Sequence, residues 1–166
     1  MKKIKKTAFS AILAALATVI ICVGAVWGKI DIATAVAASL CVMIVQGEFG
    51  YRRALSVYLI TSVLSFVLAP SKTPVVLFAV LFGLYPVVKC YCEARFEKKT
   101  AFTVKYVYLN ATVAILLVLA NLLSSVIPMW VYFAVVFGAN VLLPVYDRVL
   151  SLIMTVYYTR IRRNML

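Results

Sequence analysis

A few ionisable side chains inside apolar segments are the residues of this chain that could do chemistry. Asp147 and Arg148 lie well inside the last apolar segment, after Asn140 and Pro144. Charges at membrane depth are costly unless they are paired or hydrated. Because adjacent residues on a helix do not face each other, each of the two needs a partner on another helix or in a cavity.

The sequence predicts a buried polar cluster near the cytoplasmic interface, formed by Glu48, Lys89, Glu93, Asp147 and Arg148. Arg148 could meet Glu48 or Glu93. Lys89 could meet Asp147 or, one turn along its own helix, Glu93. Such a cluster could be structural, could act as a latch that transmits partner motion to a binding cavity, or could relay protons.

Catalysis is not expected. The chain has no histidine, which removes the commonest general base, and it has only five acidic residues. It contains no serine elbow, phosphate-binding loop or zinc-binding helix motif. We therefore predict a non-enzymatic protein without a metal or cofactor.

A second set of residues could contact a small solute from outside. Trp27 and Trp130 fall at the predicted outer boundary, although aromatic belts at the membrane interface also explain them. Gly83 to Pro86 form a patch that could kink a helix and open a cavity. Asparagines at membrane depth could recognise a solute through hydrogen bonds, or could form hydrogen bonds with neighbouring helices. The predicted solute contacts are Trp27, Tyr85, Asn121, Trp130 and Asn140.

The first apolar segment carries two ridges of small residues. Thr7, Ala11 and Ala15 recur every four residues, and Ser10, Ala14 and Thr18 form the neighbouring ridge. Such rows allow another helix to approach closely. The first ridge could serve ordinary packing inside the protein or could dock a separate membrane partner.

These residues must be positioned by membrane-spanning helices. Of the 166 residues, 66% are hydrophobic, and they form six continuous apolar segments. Their lengths approach the roughly 20 residues that cross a bilayer core, and their lack of alternation favours helices over barrel strands. We predict an all-α integral membrane protein, a compact bundle of six helices in one domain over residues 1–166. The predicted spans are 7–27, 30–46, 54–69, 74–92, 106–127 and 129–158.

Basic residues indicate the orientation of the spans. They are abundant at the N-terminus, at Arg52 and Arg53, in the fourth connection and in the tail at Arg160, Arg162 and Arg163, and scarce in the connections between. This alternation accounts for the net charge of +12 and places both termini in the cytoplasm. We expect a multi-pass protein of the plasma membrane. The first segment could alternatively be a secretory signal, although its apolar run is longer than a usual signal core.

The layout resembles the substrate-binding S components of energy-coupling-factor transporters. The likeness lies in the short six-span chain and in the run Lys-Lys-Ile-Lys-Lys leading into an alanine-rich first helix. In that family an Ala-xxx-Ala pattern on the first helix docks onto a membrane coupling protein driven by two ATPases, and Ala11 and Ala15 match it. The resemblance implies capture of a vitamin-like micronutrient from outside.

A different class of protein has a similar size and number of spans. Small scaffold proteins of the cell envelope, including the rod-shape-determining type, bind protein partners and need no solute pocket. A solute binder requires a polar cavity open to the outside, whereas a scaffold requires only packed helices and an exposed small-residue or apolar face.

Overall fold

A computed structural model describes residues 2–123, 129–157 and 159 of the protein. Within these ranges the chain forms helices and short connections, with no β-strand. The helices are α1 Lys2–Trp27, α2 Asp31–Phe49, α3 Tyr51–Leu68, α4 Thr73–Leu77, α5 Tyr85–Arg95, α6 Lys98–Leu123 and α7 Met129–Val156. A π-helical segment, Phe78–Phe82, follows α4 directly and leads towards α5.

Among the described residues, six helical stretches are long and apolar enough to cross a membrane, as the sequence predicts. They are Ile4–Trp27, Asp31–Phe49, Tyr51–Leu68, Thr73–Arg95, Lys99–Asn121 and Met129–Val156. The fourth comprises α4, the π-helical segment and α5. Six helices of this kind support a multi-pass membrane protein, because a helix satisfies its own backbone hydrogen bonds in lipid.

The largest change from the predicted boundaries is at the turn between the second and third spans. The predicted second and third spans, 30–46 and 54–69, leave a connection of several residues, but Gly50 alone separates α2 from α3. Its φ of 84° lies in the left-handed region that favours glycine, so one residue can reverse the chain. Arg52 and Arg53 consequently fall in the first turn of α3.

The helices group into two compact units, Met1–Arg95 and Phe96–Leu166, where the sequence predicts one domain. We refer to them as unit 1 and unit 2. The apolar pattern shows how many spans exist, but it carries no information about which helices pack together. That choice depends on side-chain complementarity between faces that are all apolar.

In unit 1, α2 is the central helix. It packs against α1, α3, α4 and α5. Its fully buried residues include Ala35, Ala38 and Val42, and α1 contributes Ala17 and Ile21 to the same core. Small side chains dominate these contacts, which lets the helix backbones approach closely where lipid removes the hydrophobic drive for association.

In unit 2, α6 and α7 form an antiparallel hairpin. Leu109, Val113, Leu143 and Leu150 are buried. The predicted uncharged connection at residues 124–128 and the basic tail residues Arg160, Arg162 and Arg163 lie outside the described residues.

Candidate functional site

The two ridges of small residues on α1 face in different directions. Thr7, Ala11 and Ala15, which we call the outer ridge, are exposed. Ala14 and Thr18 of the neighbouring ridge are each only 3% exposed. Successive helix positions differ by about 100° in direction, so two adjacent ridges can serve different neighbours.

The buried ridge is used for packing within unit 1. The Thr18 hydroxyl donates to the Ala14 carbonyl at 2.9 Å, and the Thr61 hydroxyl of α3 reaches the same oxygen at 3.5 Å. Ala14 therefore lies where α1 meets α3. Ordinary packing explains this ridge, but it does not explain the outer ridge, which remains accessible.

The predicted solute residues of unit 1 lie at different depths. Trp27 is the last residue of α1 and is 70% exposed, whereas Tyr85 is 2% exposed. Tyr85 follows Thr73 by twelve residues, which is about 18 Å along a helix. Tyr85 is thus a core residue near the middle of its span. Trp27 is the last residue of its span, the position expected of an aromatic belt residue.

The kink predicted at Gly83 to Pro86 takes the form of a π-helical distortion just before it. Gly83 N–H donates to the Phe78 carbonyl at 2.7 Å, a bond spanning five residues. The Tyr58 hydroxyl of α3 donates to the Ala79 carbonyl at 2.7 Å and so satisfies a carbonyl within the distortion. Distortions of this type are frequent at functional sites.

In unit 2, Asn121 and Trp130 lie at the same level of the hairpin and both are exposed. Asn140 lies ten residues after Trp130, about 15 Å deeper along α7. The hairpin therefore places two of its three predicted solute contacts at a similar level and the third about 15 Å away along α7.

Asn140 is engaged in a reciprocal amide pair with Asn110. Each Nδ2 donates to the other residue's Oδ1, at 3.2 Å from Asn110 and 3.1 Å from Asn140. Each Nδ2 also donates to a carbonyl of its own helix, that of Tyr106 or Val136. Both amide hydrogens of Asn140 are therefore occupied, and bonding between helices is the role that the structure gives this residue.

We expect Asn140→Ala to destabilise unit 2 by about 1 kcal/mol, because it removes two interhelical hydrogen bonds of the modest strength usual in membrane proteins. The free energy of unfolding in mixed micelles measures this. Asn121→Ala is the matched control and should be neutral. Equal losses for the two variants would contradict a structural role for the amide pair, as would full additivity of Asn110→Ala with Asn140→Ala.

Residues of the predicted polar cluster take part in one ion pair in unit 1 and one in unit 2. Lys89 Nζ lies 3.3 Å from Glu93 Oε1, which is the partner one turn along its own helix. The Lys89 side chain is 2% exposed and the Glu93 side chain 48% exposed. The lysine stem is thus buried in unit 1 while its charge is directed towards an accessible carboxylate, the usual behaviour of lysine near a membrane interface. Glu48 of the same unit is half-buried.

In unit 2, Asp147 is paired with Lys105, a residue of the fourth predicted connection. Lys105 Nζ is 3.1 Å from both carboxylate oxygens of Asp147. Lys105 was missed because the predicted fifth span began at residue 106, whereas α6 begins at Lys98. The register of the hairpin could have identified the pair, because both residues lie equally far in sequence from position 126. The neighbouring Arg148 is exposed.

Comparisons of the chain with protein-family models, with curated proteins and with solved structures found no match. The outer ridge of α1, the buried polar pairs and the membrane-length helices are consequently the observations from which a function can be argued.

Proposed function

We propose that the protein is the membrane-embedded binding subunit of an ATP-driven uptake system, and that it docks through α1 onto a coupling protein that carries ATPase subunits. The observation that carries this proposal is the exposure of the outer ridge. Thr7, Ala11 and Ala15 form a row of small, exposed side chains on α1. The resemblance to S components of energy-coupling-factor transporters points to the same residues.

The shape of the outer ridge suits a helix as its partner. Ala11 and Ala15 are separated by about 6 Å along the helix, so together they form a shallow groove about one turn long. Larger exposed side chains flank it, among them Ile12 and Leu16. In lipid, association of helices depends on close packing, which small residues permit and branched residues prevent.

The depth of the ridge agrees with the proposed orientation. Residues 7–15 occupy the first half of the span Ile4–Trp27. With the basic N-terminus in the cytoplasm of a plasma-membrane protein, this half lies in the inner leaflet. A coupling protein bound there would lie close to cytoplasmic ATPases.

The cargo in this proposal is a vitamin-like small molecule captured from outside, and the protein itself performs no catalysis. Asn121 and Trp130 are the best-supported contacts, since they lie exposed at one level of the hairpin. Trp27 stays a proposed contact at the end of α1. Tyr85 and Asn140 are supporting residues in this scheme, because one is buried in the core and the other is bonded to Asn110.

Ala15→Leu is expected to reduce copurification of the coupling protein and ATPases at least tenfold, because a leucine fills the groove that the partner helix must enter. Tagged protein is purified from its native membranes, and its partners are quantified by mass spectrometry. Ala33→Leu is the matched control, since Ala33 is an exposed alanine on α2. It should retain the partners in full.

Both variants place a leucine on an exposed surface, so the melting temperature should equal that of the wild type. Recovery of envelope-assembly proteins without any ATPase would contradict the transport proposal and favour the scaffold. Unchanged recovery of the ATPases with Ala15→Leu would contradict docking through the outer ridge.

A further inference from the structure

One end of unit 1 carries more basic than acidic side chains among the described residues. The start of α1 and the α2–α3 turn meet there, through Lys6 and Phe49, and the described side chains at this end are four basic ones, Lys5, Lys6, Arg52 and Arg53, and one acidic one, Glu48. Neither α1 nor α3 has an acidic residue in its first turn. Because the N-terminal end of a helix already has a partial positive charge, the lysines and arginines raise the local potential further.

Two of these cations, one from α1 and one from α3, lie beside the aromatic ring of Phe49. Lys6 Nζ lies 5.8 Å from the ring centre, and the guanidinium carbon of Arg53 lies 5.4 Å from it. Phe9 packs edge-on against the same ring, with 5.8 Å between the ring centroids. Cation–π attraction thus holds one cation from α1 and one from α3 beside the last residue of α2.

The two cations have no carboxylate partner among the described residues. Glu93, the acidic residue of α5, is paired with Lys89, and Asp147 is paired with Lys105. Arg53 is half-buried, and its Nη1 forms no hydrogen bond. Its neighbour Arg52 differs, since that side chain is exposed and its Nε donates to the Tyr51 hydroxyl at 3.1 Å.

The position of this end limits which anion can reach it. The spans Ile4–Trp27 and Tyr51–Leu68 both begin here, so Lys6 and Arg53 lie near the level of lipid headgroups. A planar guanidinium presents N–H groups that match phosphate oxygens, and a basic cluster beside a membrane helix attracts anionic lipid.

We propose that Lys6, Phe49 and Arg53 form a binding site for the phosphate of an anionic phospholipid headgroup. The ammonium and the guanidinium bind the phosphate oxygens, and the Phe49 ring keeps the two cations together when the site is empty. This site is separate from the outer ridge and from the proposed solute contacts, and it requires only that unit 1 spans a membrane.

Native mass spectrometry of the full-length protein in detergent tests the proposal. The protein is titrated with phosphatidylglycerol or with phosphatidylcholine of the same acyl chains. The wild type should bind phosphatidylglycerol at least fivefold more tightly. Lys6→Gln and Arg53→Gln should each weaken that binding about fivefold, the effect of one basic residue near a membrane surface.

Two control variants separate a built site from diffuse charge. Arg52→Gln removes an adjacent exposed charge and should weaken binding less than twofold. Lys29→Gln removes an exposed charge at the opposite end of α1 and should have no effect. Lys6 is exposed, so Lys6→Gln should keep the wild-type melting temperature and remains informative even if Arg53→Gln does not fold.

Several results would overturn the proposal. One is equal affinity for the two lipids. Another is an equal loss with Arg52→Gln and Arg53→Gln, which would indicate only a diffuse basic surface. Displacement of the lipid by millimolar inorganic phosphate would indicate that the site binds free phosphate. Lipid binding by Lys6→Gln as tight as that of the wild type would show that α1 does not contribute to the site.

Discussion

Replacing Asp147 by asparagine is expected to destabilise the α6–α7 hairpin by about 3 kcal/mol, because it leaves the ammonium of Lys105 buried without its counter-charge. The Lys105 side chain is 8% exposed and the Asp147 side chain 26% exposed. Breaking a buried ion pair usually costs about 3–5 kcal/mol, and the partial exposure of Asp147 favours the lower end of that range.

The free energy of unfolding in mixed micelles measures this effect. Arg148→Gln is the matched control, because it removes a charge from the adjacent exposed residue and should change stability by less than about 0.5 kcal/mol. The reversed pair, Lys105→Asp with Asp147→Lys, should recover at least half of the loss. Additive losses in this double variant would show that the two charges do not stabilise each other.

Gly24→Leu is expected to cost unit 1 about 3 kcal/mol or to prevent its folding, since α1 and α2 are in close contact at this residue. A Cβ atom at position 24 would lie 2.8 Å from the Thr34 Cβ and 2.9 Å from its Cγ2, and would overlap the hydroxyl. Thr34 cannot rotate away freely, because its hydroxyl donates to the carbonyls of Ile30 and Asp31 at 3.1 Å and 3.0 Å.

Gly138→Ala provides the contrasting case. A Cβ atom at that position of α7 meets nothing within 4 Å, so the variant should be neutral or slightly more stable owing to the higher helix propensity of alanine. Thermal unfolding compares the two variants in the same detergent. Gly24→Ala should also lose stability, because its Cβ already overlaps Thr34, and recovery by a second change, Thr34→Gly, would support steric overlap as the cause. A stable Gly24→Leu protein would contradict the close contact of α1 with α2.

The number and approximate limits of the helices could be predicted from the sequence. Six apolar runs of bilayer length favour helices when their composition shows no alternation, and the described part of the chain contains six such helices. The helix boundaries differ from the predicted ones where they depend on backbone conformation or on polar residues, which a hydropathy pattern does not detect. Gly50 alone reverses the chain, and α6 begins at Lys98 although its first residues are polar.

The candidate site was predictable only in part. The spacing of small residues identified two ridges on α1, and it could not show that Ala14 packs inside while Ala15 remains exposed. In a soluble helix the buried face is marked by apolar residues, but in a membrane helix the faces towards lipid and towards protein are both apolar. Only the packed structure distinguishes them.

The pairing of polar residues also depended on the tertiary structure. The sequence by itself predicted that Asp147 and Asn140 lie inside a segment apolar and long enough to span a membrane, where unpaired polar groups are costly and need partners. It did not determine the partners, because they lie far away along the chain. Lys105 is 42 positions from Asp147, and Asn110 is 30 positions from Asn140. The register of α6 against α7 decided both pairs, and that register is set by the contacts between the two helices.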